Sequence, residues 1–519
     1  MDSYDDKRPG ICRVVCFCRL FLILAIAGGF GHARGSSILF AEPSPPNALA
    51  IRHAAGYLGI GQAVADFDRD GWPDLYVTSG AGPNTLLRNE QGRFVPASGA
   101  EPLALADDAS AGALFFDYDN DGWPDLLVLG AEGSHLFRNR AGKGWADVTA
   151  EAGLETAGRG QSAAVADFNG DGWLDLYVVH WYFGEDESSP LSADRFFLNR
   201  QGRFEDISYW LDVEARAGPG FAALWLDYDN DGRIDLYVVN DKLYGNVLWR
   251  NEGPGCGGWC FRDVSEETGT ARAAFSMGVS AADYDNDGDL DLFYSSIGEQ
   301  VLLENRHAQG QTGFVEASIA AGVSLDAIGW GPMFFDADND GRVDLYLATS
   351  NSDPARCNRL WRNTGLTFED LSPSSGLGDC GFGMGLARLD VDRDGRIDVV
   401  LGNWGQQFNW YRNESVAGRA LRIRLDGADR VNRDAVGARV RLRDSGGREQ
   451  LKELRIGSGH GGNHEPVLHF GLGDTDIVRL EVRWPDGVIE AHEPPETDEL
   501  LLVHPHAGGL VFTAGFEAK

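Results

Sequence analysis

The chain has 519 residues, of which 43% are hydrophobic, and it carries a formal net charge of −34 at pH 7. A chain of this length can form more than one domain with a sizeable core. The acidic balance, without any basic cluster, excludes binding to nucleic acid or to an anionic membrane through a positively charged surface.

The first 33 residues have the features of a secretory signal. Basic residues come first, at Lys7, Arg8, Arg13 and Arg19. The apolar run at residues 20–27 is too short to span a bilayer, and residues 31–33 are small enough for cleavage. We therefore expect residues 1–33 to be removed and the protein to be secreted into the extracellular or periplasmic space. An uncleaved anchor is the alternative, and no later stretch is apolar enough to cross a membrane.

The cysteines indicate the same compartment. They fall into two sets, Cys12, Cys16 and Cys18 within the signal and Cys256, Cys260, Cys357 and Cys380 beyond it. The second set forms two pairs, Cys256 with Cys260 and Cys357 with Cys380. An even number of cysteines in an exported chain predicts disulfides. A metal site is the weaker alternative, since no histidine lies nearby at ligand spacing.

An acidic motif, Asp-Tyr-Asp-Asn-Asp-Gly-Trp-Pro-Asp-Leu, begins at Asp117. Carboxylates stand at positions 1, 3, 5 and 9, and Gly122 stands at position 6. Alternate spacing lets side chains 1, 3 and 5 converge, the glycine permits a sharp turn, and the carboxylate at position 9 closes the cage. Crowded carboxylates repel one another unless a hard cation lies among them, and an all-oxygen shell suits Ca²⁺ better than Mg²⁺.

The motif is not an EF-hand loop, whose closing acid stands at position 12. Its flanks are strand-like on both sides, which predicts a β-hairpin whose turn is a metal site. Seven copies occur, called here loops one to seven, and we expect up to seven Ca²⁺ ions. The predicted ligands are Asp66, Asp68, Asp70 and Asp74; Asp117, Asp119, Asp121 and Asp125; Asp167, Asn169, Asp171 and Asp175; Asp227, Asp229, Asp231 and Asp235; Asp283, Asp285, Asp287 and Asp291; Asp336, Asp338, Asp340 and Asp344; and Asp390, Asp392, Asp394 and Asp398. The loop with Asn169 should bind most weakly, because its charge is lower.

Each loop belongs to a unit of about 50 residues with four short strands. A small-residue strand enters the loop and a second strand leaves it. The third strand ends in asparagine, at Asn89, Asn139, Asn199, Asn251, Asn305, Asn363 and Asn413. The fourth begins with an aromatic residue, at Phe94, Trp145, Phe204, Phe261, Phe314 and Phe368. This pattern predicts an all-β fold, a seven-bladed β-propeller over residues 37–415.

The seventh unit lacks its fourth strand. Residues 37–40 have the missing strand character, so we predict that they pair with the last blade and close the ring. Residues 416–505 then alternate apolar and charged residues, with turns at 444–447 and 485–487, which predicts a small β-sandwich or barrel. Residues 506–519 form a tail.

These repeats resemble the FG-GAP/VCBS repeats of integrin α-subunit heads, and the third-strand asparagine with the fourth-strand aromatic residue resembles the cartilage acidic protein group. Residues 432–440, 469–473 and 482–487 are similar to the ASPIC/UnbV domain. The resemblance implies a calcium-loop propeller. Related proteins include secreted matrix proteins, proteins encoded beside natural-product pathways and a few lyase-like enzymes. Residues 456–464, Ile-Gly-Ser-Gly-His-Gly-Gly-Asn-His, depart from the Gly-Tyr-Leu-Ser-type segment usual in the family.

Polar and aromatic residues on the connections that leave the second strands are candidates for recognition or catalysis. They are His180, Trp181, residues 182–183, the acidic stretch 185–187, Asn240, Asp241, Ser295, Ser296, residues 351–353, Asn403 and Trp404. The alternative is that they form turns and cover the channel mouth. His460, His464 and His469 raise a second possibility, a transition-metal site, although one of them lies in a glycine-rich stretch and another in a family motif.

Three functions are compatible with the sequence. The first is a monomeric extracellular binding or scaffold protein, in which calcium is structural and the face opposite the loops engages a glycan or a protein. The second is an enzyme acting over the channel, of the lyase or natural-product tailoring kind. The third is a lectin. Seven copies of one loop favour a structural role for calcium, and no known catalytic motif is present.

Overall fold

The computed structural model describes residues 38–42, 49, 51–56, 59–154, 158–182, 193–212, 218–428, 430–493, 500–505 and 513–514. These ranges consist almost entirely of β-strands joined by loops and single helical turns. None of their helices is long and apolar enough to span a bilayer. The predicted signal at residues 1–33 and the acidic stretch 185–187 lie outside the described residues.

Strand β1 (Phe40–Ala41) precedes seven groups of antiparallel strands, of which the fifth and sixth are joined into one eight-stranded sheet. The first three groups are β2 (Gln62–Ala65), β3 (Asp74–Val77), β4 (Thr85–Asn89) and β5 (Phe94–Pro96); β6 (Ser110–Phe116), β7 (Asp125–Gly130), β8 (Ser134–Asn139) and β9 (Trp145–Asp147); and β10 (Gly160–Ala166), β11 (Asp175–His180), β12 (Arg195–Asn199) and β13 (Phe204–Asp206). The next three are β14 (Gly220–Leu226), β15 (Asp235–Asn240), β16 (Val247–Gly255) and β17 (Gly258–Asp263); β18 (Ser276–Ala282), β19 (Asp291–Glu299), β20 (Val301–Asn305) and β21 (Phe314–Glu316); and β22 (Asp326–Phe335), β23 (Asp344–Thr349), β24 (Arg359–Asn363) and β25 (Phe368–Asp370). The last contains β26 (Gly383–Leu389), β27 (Asp398–Asn403) and β28 (Asn409–Asn413).

Helical structure within the described ranges is limited to single turns. Four follow fourth strands or their equivalents, α1 (Thr149–Ala152), α2 (Ser265–Thr268), α3 (Ser318–Ala321) and α4 (Ser372–Ser375). Three further turns are of the 3₁₀ type, Glu101–Ala104, Ser208–Trp210 and Pro354–Arg356. Each of the four α turns ends at a left-handed glycine, and in α1, α2 and α3 the N–H of this glycine donates to a carbonyl of the turn.

The groups form a closed ring. Each first strand contacts the first strand of the next group, from β2 through β6, β10, β14, β18 and β22 to β26, and β26 contacts β2. Neighbouring groups share apolar cores. The ring centroids of Phe67, in the first group, and Trp145, in the second, lie 5.9 Å apart in one such core. This radial arrangement is the predicted β-propeller.

Strand β1 completes the last group. Phe40 pairs with Asn413 and Ala41 with Arg412, in an antiparallel ladder on the outside of β28. The ring of Phe40 lies 6.1 Å from that of Phe335 and is buried. The closing strand predicted from residues 37–40 is confirmed at Phe40, while Ser37 lies outside the described residues. An edge that would be open to another chain is thereby covered.

The C-terminal strands form two sheets with one shared core. One sheet has the order β32 (Leu468–Gly473), β29 (Arg419–Leu425), β35 (Leu500–Val503), β36 (Thr513–Ala514), and the other the order β31 (Glu449–Glu453), β30 (Arg439–Asp444), β33 (Ile477–Arg483), β34 (Ile489–His492). Leu421, Val440, Phe470 and Trp484 are among the residues buried between them. This two-layer arrangement, called here the C-terminal sandwich, agrees with the alternating pattern of the sequence.

The sandwich lies against the metal-loop side of the propeller. Arg424 Nη1 is 3.3 Å from Asp66 Oδ2, and Arg483 Nη1 is 3.2 Å from Asp227 Oδ2. The sandwich therefore contacts the same carboxylates that the sequence proposes as calcium ligands.

The irregular segment between β31 and β32, residues 456–464, enters the ring of first strands and is called here the plug. Backbone hydrogen bonds join Val165 N to Ile456 O (3.1 Å), Val279 N to Gly459 O (3.0 Å), Ala113 N to Gly461 O (2.9 Å) and Val64 N to Asn463 O (3.2 Å). These partners belong to β10, β18, β6 and β2, so the plug occupies the propeller channel. The segment that departs from the family pattern is thus the one that fills the centre of this ring.

Both predicted disulfides are present. Cys256 pairs with Cys260 across the β16–β17 hairpin, and Cys357 pairs with Cys380 between two connections. The pairing follows the close sequence spacing.

Candidate metal centres

The metal loops bring their carboxylates together as the spacing predicts. Ligand oxygens lie within 4.8 Å of one another in several sets, which include Asp66, Asp68 and Asp70; Asp117, Asp119 and Asp125; Asp227, Asp229 and Asp235; Asp283, Asp285 and Asp291; and Asp336, Asp338 and Asp344. Every set belongs to a different loop between the first and second strands of a group. That these groups bind calcium stays a prediction.

The turn itself is fixed by one repeated hydrogen bond. In all seven loops the N–H of the position-6 glycine donates to Oδ2 of the position-1 aspartate, over 2.6 to 3.2 Å. The glycine takes a left-handed conformation, with φ of +88° at Gly122, which side chains rarely adopt. The position-5 carboxylate accepts the N–H of position 7 in the same way, over 3.0 Å from Trp72 to Asp70. The backbone of each loop is therefore shaped by its own carboxylates.

The third-strand asparagines link neighbouring loops. The N–H of each donates to Oδ1 of the position-9 aspartate of its own unit, over 2.7 to 2.8 Å. Its side-chain Nδ2 donates to the position-2 carbonyl of the preceding loop, from Asn139 to Phe67 (2.8 Å) and so on around the ring. Asn89 completes the circle through Val391 of loop seven, at 2.9 Å. These asparagines recur in the sequence at a fixed position, but their role follows only from the contacts between blades.

The donor set fits a hard divalent cation. Buried Oδ1 atoms of Asp66, Asp227, Asp285 and Asp392 accept no hydrogen bond, although a carboxylate oxygen away from water needs a partner. All predicted side-chain ligands except Asn169 are carboxylates, and Asn169 still offers an oxygen. Calcium prefers oxygen ligands of this kind, so these residues would hold it through charge neutralisation and the orphaned oxygens.

Burial makes these carboxylates costly to ionise without a cation. It raises the pKa of Asp167 to about 7, with the neighbouring Asp171 acting in the same direction. Burial likewise raises the pKa of Asp74 to about 9, and the pKa of the buried Asp235 lies well above its ordinary value for the same reason. A divalent ion would favour the charged forms.

Arginines at the end of third strands offset part of the negative charge. Arg88 Nε lies 2.6 Å from Asp68 Oδ2, Arg138 Nε 2.7 Å from Asp119 Oδ2, Arg250 Nη2 2.9 Å from Asp229 Oδ2, Arg362 Nη2 2.8 Å from Asp338 Oδ2 and Arg412 Nη2 2.5 Å from Asp392 Oδ2. Loop three has Leu198 and loop five has Glu304 at this position. The seven sites are therefore alike in shape but differ in charge.

The connections on the opposite face mostly serve the fold. His180 is buried, its Nδ1 lies 2.9 Å from the Ala193 carbonyl, and burial lowers its pKa to about 4. Asn240 Nδ2 donates to the Gly245 carbonyl over 2.7 Å, and Ser296 Oγ donates to the Glu299 carbonyl over 2.6 Å. These contacts are those of turn-forming residues, the alternative considered from sequence.

Other candidates on that face have similar roles. Ser295 Oγ accepts the Gly278 N–H over 3.0 Å, and Asp353 caps the 3₁₀ turn Pro354–Arg356. Trp181 Nε1 donates to Asp241 Oδ2 over 2.8 Å. Asn403 Nδ2 donates to the Gln407 carbonyl over 3.2 Å, and Trp404 packs on the apolar cluster around the channel. No catalytic constellation arises from these contacts among the described residues.

The three histidines considered as a transition-metal site, His460, His464 and His469, have separate surroundings. His460 stacks on Phe221 in the channel, with ring centroids 5.2 Å apart, and burial lowers its pKa to about 4. His464 Nδ1 accepts the Arg388 N–H over 3.4 Å, and His469 Nε2 lies 3.2 Å from a carbonyl of loop seven. The three imidazoles thus have different neighbours, while both ring nitrogens of His460 and Nδ1 of His469 are buried without a hydrogen bond.

Comparisons with known proteins agree with the repeat and with the domain order. A family model described as FG-GAP-like repeat matches residues 66–128, 117–178, 227–294 and 336–401, and one described as ASPIC and UnbV matches residues 428–509. Cartilage acidic protein 1 of Mus musculus is 26% identical over 511 residues, which cover 88% of this chain and 77% of that protein. Cartilage acidic protein 1 of Homo sapiens is 25% identical over 531 residues, covering 92% and 76%. The predicted repeat type and C-terminal domain are confirmed.

Solved structures are similar at lower levels. A lectin from Agrocybe aegerita that recognises non-reducing terminal N-acetylglucosamine has a TM-score of 0.39 and 17% identity, covering 74% of this chain and 94% of its own. Sqt1 of Saccharomyces cerevisiae has a TM-score of 0.39 and 11% identity, covering 73% and 98%. Neither likeness bears on what this chain binds.

Proposed function

We propose that this chain, an FG-GAP repeat protein with a C-terminal ASPIC and UnbV domain, is a secreted calcium-binding scaffold. Each metal loop holds one Ca²⁺, and the ions serve the fold rather than a reaction. The observation that carries the proposal is the sevenfold recurrence of one carboxylate loop, with buried oxygens that lack any hydrogen bond in loops one, four, five and seven.

An extracellular location is supported by two observations. Both disulfides form between cysteines outside the predicted signal, and disulfides persist in oxidising compartments. The related protein of mouse and human is named for cartilage, a tissue rich in extracellular matrix. Extracellular calcium is abundant enough to fill sites with dissociation constants of about 10⁻⁴ to 10⁻³ M.

The partner binds on the face away from the metal loops. The C-terminal sandwich lies against the loop side, as the pairs Arg424–Asp66 and Arg483–Asp227 place it, so the connections leaving the second strands are the surface left to a partner. These connections lie on a rigid scaffold, which is where binding residues commonly stand. The partner is a glycan or an extracellular protein.

Removal of calcium tests the structural role. At ten times its dissociation constant an ion stabilises the folded state by about 1.4 kcal/mol per site, so seven independent sites could approach about 10 kcal/mol. We expect elemental analysis to find several Ca²⁺ per chain and calorimetry to show a large fall in Tm when EDTA replaces millimolar Ca²⁺. An unchanged unfolding curve, or a chain that holds no ion after dialysis against calcium, would contradict the proposal.

Recognition is tested on the calcium-loaded full chain. We expect saturable binding to members of a glycan array or to a panel of immobilised matrix proteins, and weaker binding after chelation because the scaffold loses stability. A variant with two changed exposed residues on the connection that follows β15, Leu243→Ala and Tyr244→Ala, should weaken that binding while Tm stays within a degree or two. Binding that maps instead to the sandwich would contradict the assigned face.

A further inference from the structure

Two arginine–glutamate pairs of the C-terminal sandwich contact two different metal loops at equivalent atoms. These atoms are Oδ2 and the backbone N–H of the position-1 aspartate. At loop seven, Arg422 Nη1 lies 2.7 Å from Oδ2 of Asp390, and Arg422 Nη2 lies 2.8 Å from Glu465 Oε1. The same glutamate accepts the backbone N–H of Asp390 over 3.1 Å. Both carboxylate and backbone of the position-1 aspartate are thus held by one pair.

Loop four repeats this arrangement with residues from other strands. Arg439 Nη1 lies 3.5 Å from Asp227 Oδ2, and its Nε lies 2.7 Å from Glu453 Oε2. Glu453 accepts the backbone N–H of Asp227 over 3.4 Å, and Arg439 Nη2 donates to the Asp227 carbonyl. The first pair comes from β29 and the segment before β32, the second from β30 and the end of β31. One contact pattern is therefore built twice from unrelated positions.

The pattern has a physical consequence for the carboxylate. Oδ2 of Asp227 accepts the Gly232 N–H over 3.0 Å and also contacts Arg439 and Arg483, so the group has little freedom to rotate. Its Oδ1 is buried without a hydrogen bond and is the oxygen left for a cation. Because the glutamate of each pair offsets the charge of its own arginine, the pair fixes the ligand and itself adds no net positive charge, although at loop four Arg483 brings a further guanidinium to Asp227.

We propose that Arg422 with Glu465 and Arg439 with Glu453 are positioning pairs that orient the position-1 aspartates of loops seven and four, so that calcium binding there is coupled to docking of the C-terminal sandwich. The inference rests on the proposed calcium binding. Partners of this kind typically change metal affinity by about 10- to 100-fold when removed. Coupling is reciprocal, so calcium in these loops also holds the sandwich on the propeller.

The remaining loops provide a contrast within the same molecule. The backbone N–H of Asp117 in loop two donates to Asp434 Oδ2 over 2.7 Å, a carboxylate contact like those of loops four and seven. Within the described part of the chain, however, no arginine of the sandwich forms an ion pair with the Asp117 or Asp167 carboxylate. Loops two and three should therefore keep their calcium affinity when the pairs are broken.

Arginine variants of the full chain test the pairs. Arg422→Gln and Arg439→Gln are titrated with CaCl₂ by calorimetry after removal of bound metal, beside Arg479→Gln, a change at an exposed arginine of the same sandwich. We expect each test variant to weaken one site about tenfold or more with the others unchanged, the double variant to weaken two, and Arg479→Gln to match the wild type. Unchanged affinities at every site would overturn the inference.

A second measurement separates positioning from a merely structural role. Calcium should slow amide hydrogen exchange in Arg419–Leu425 and Leu468–Gly473 of the wild type, and this protection should shrink in Arg422→Gln. A merely structural role predicts instead a lower Tm in saturating calcium with an unchanged binding isotherm, which would also overturn the inference.

Two further outcomes keep the inference distinct from the proposed function. If Arg422→Gln does not fold, Glu465→Gln leaves the arginine in place with its charge no longer offset, and this variant should weaken loop seven; unchanged binding would again count against the pairs. A wild type that binds no calcium would overturn the proposed function as well. A wild type that binds calcium, with variants that bind it equally, would overturn the positioning pairs alone.

Discussion

Single residues carry the connection between one metal loop and the next. The third-strand asparagine bonds its own loop through its backbone N–H and the preceding loop through its side chain, as Asn305 does with Asp291 and with the Tyr228 carbonyl. An aspartate at this position would keep the shape but lose the donor. The amide therefore explains why asparagine recurs at the end of these strands.

Removal of one such amide should be costly. In Asn305→Ala the buried Tyr228 and Leu290 carbonyls lose donors at 2.8 and 3.1 Å, and an unsatisfied buried group costs about 1 to 3 kcal/mol. We expect urea unfolding in calcium to show a loss of this size, whereas Gln311→Ala, which removes an exposed amide from the same connection, should stay within about 0.5 kcal/mol. Equal effects of the two changes would contradict the role of the link.

The residue pattern predicted the loops but not these links. Ligand spacing lies within nine consecutive residues, so the convergence of Asp117, Asp119 and Asp125 follows from local geometry. The partner of Asn139 is 72 residues away in another blade, at Phe67, and only the closed ring brings the two together. The Arg422–Asp390 pair, by contrast, depends on how the sandwich docks, which no local pattern specifies.

Among the structural elements, the plug differs most from sequence expectation. Alternation of apolar and charged residues predicted the strands of the sandwich, and the repeat predicted the strands of the ring. Residues 456–464 lack both patterns and read as a flexible stretch. Their glycines instead allow close approach to the first strands, since a Cβ on Gly462 would stand 2.2 Å from the Gln62 carbonyl oxygen.

A pair of glycine variants tests the fit of the plug. Gly457 and Gly487 both have positive φ, +95° and +82°, so alanine costs about 1 to 2 kcal/mol of backbone strain at either site. A Cβ on Gly457 would also stand 2.4 Å from the Ala163 carbonyl oxygen, whereas Gly487 has no neighbour within 4 Å. We expect Gly457→Ala to lower the free energy of unfolding clearly more than Gly487→Ala does, and to speed hydrogen exchange in β10. Gly487→Ala should lower it only by the cost of backbone strain. Similar losses in both would mean that the plug is not tightly seated.

At the scale of the whole molecule, closure of the propeller ring brings the negatively charged loops close together. Strand β1 joins the chain start to the last blade through Phe40 and Asn413, and the sandwich joins the chain end to the loops and the channel. The formal charge of −34 would fall by about 14 units in magnitude with seven Ca²⁺ bound. The closed ring holds these carboxylates close together whether or not a cation is present.

The pH dependence of stability should therefore reverse with calcium. Without metal, burial is the main reason that the pKa values of Asp66, Asp227 and Asp390 rise from 3.8 to about 6 in the folded state. Protonation then favours folding, so this stability is fully present below about pH 4 and is lost as the pH rises through about 6. With calcium the ligands must be deprotonated, so a fall in pH releases the ion and its stabilisation.

Calorimetry at pH 5, 6 and 7.5 measures both curves. In EDTA we expect Tm to fall as the pH rises, and in millimolar Ca²⁺ we expect it to rise over the same interval. Buried histidines such as His180 and His460, whose pKa values burial lowers to about 4, destabilise the fold in acid under both conditions, so the difference between the curves isolates the carboxylates. Two curves that run parallel would show that the loops do not exchange protons for calcium. Bound calcium would then not be what neutralises the buried carboxylates of the ring.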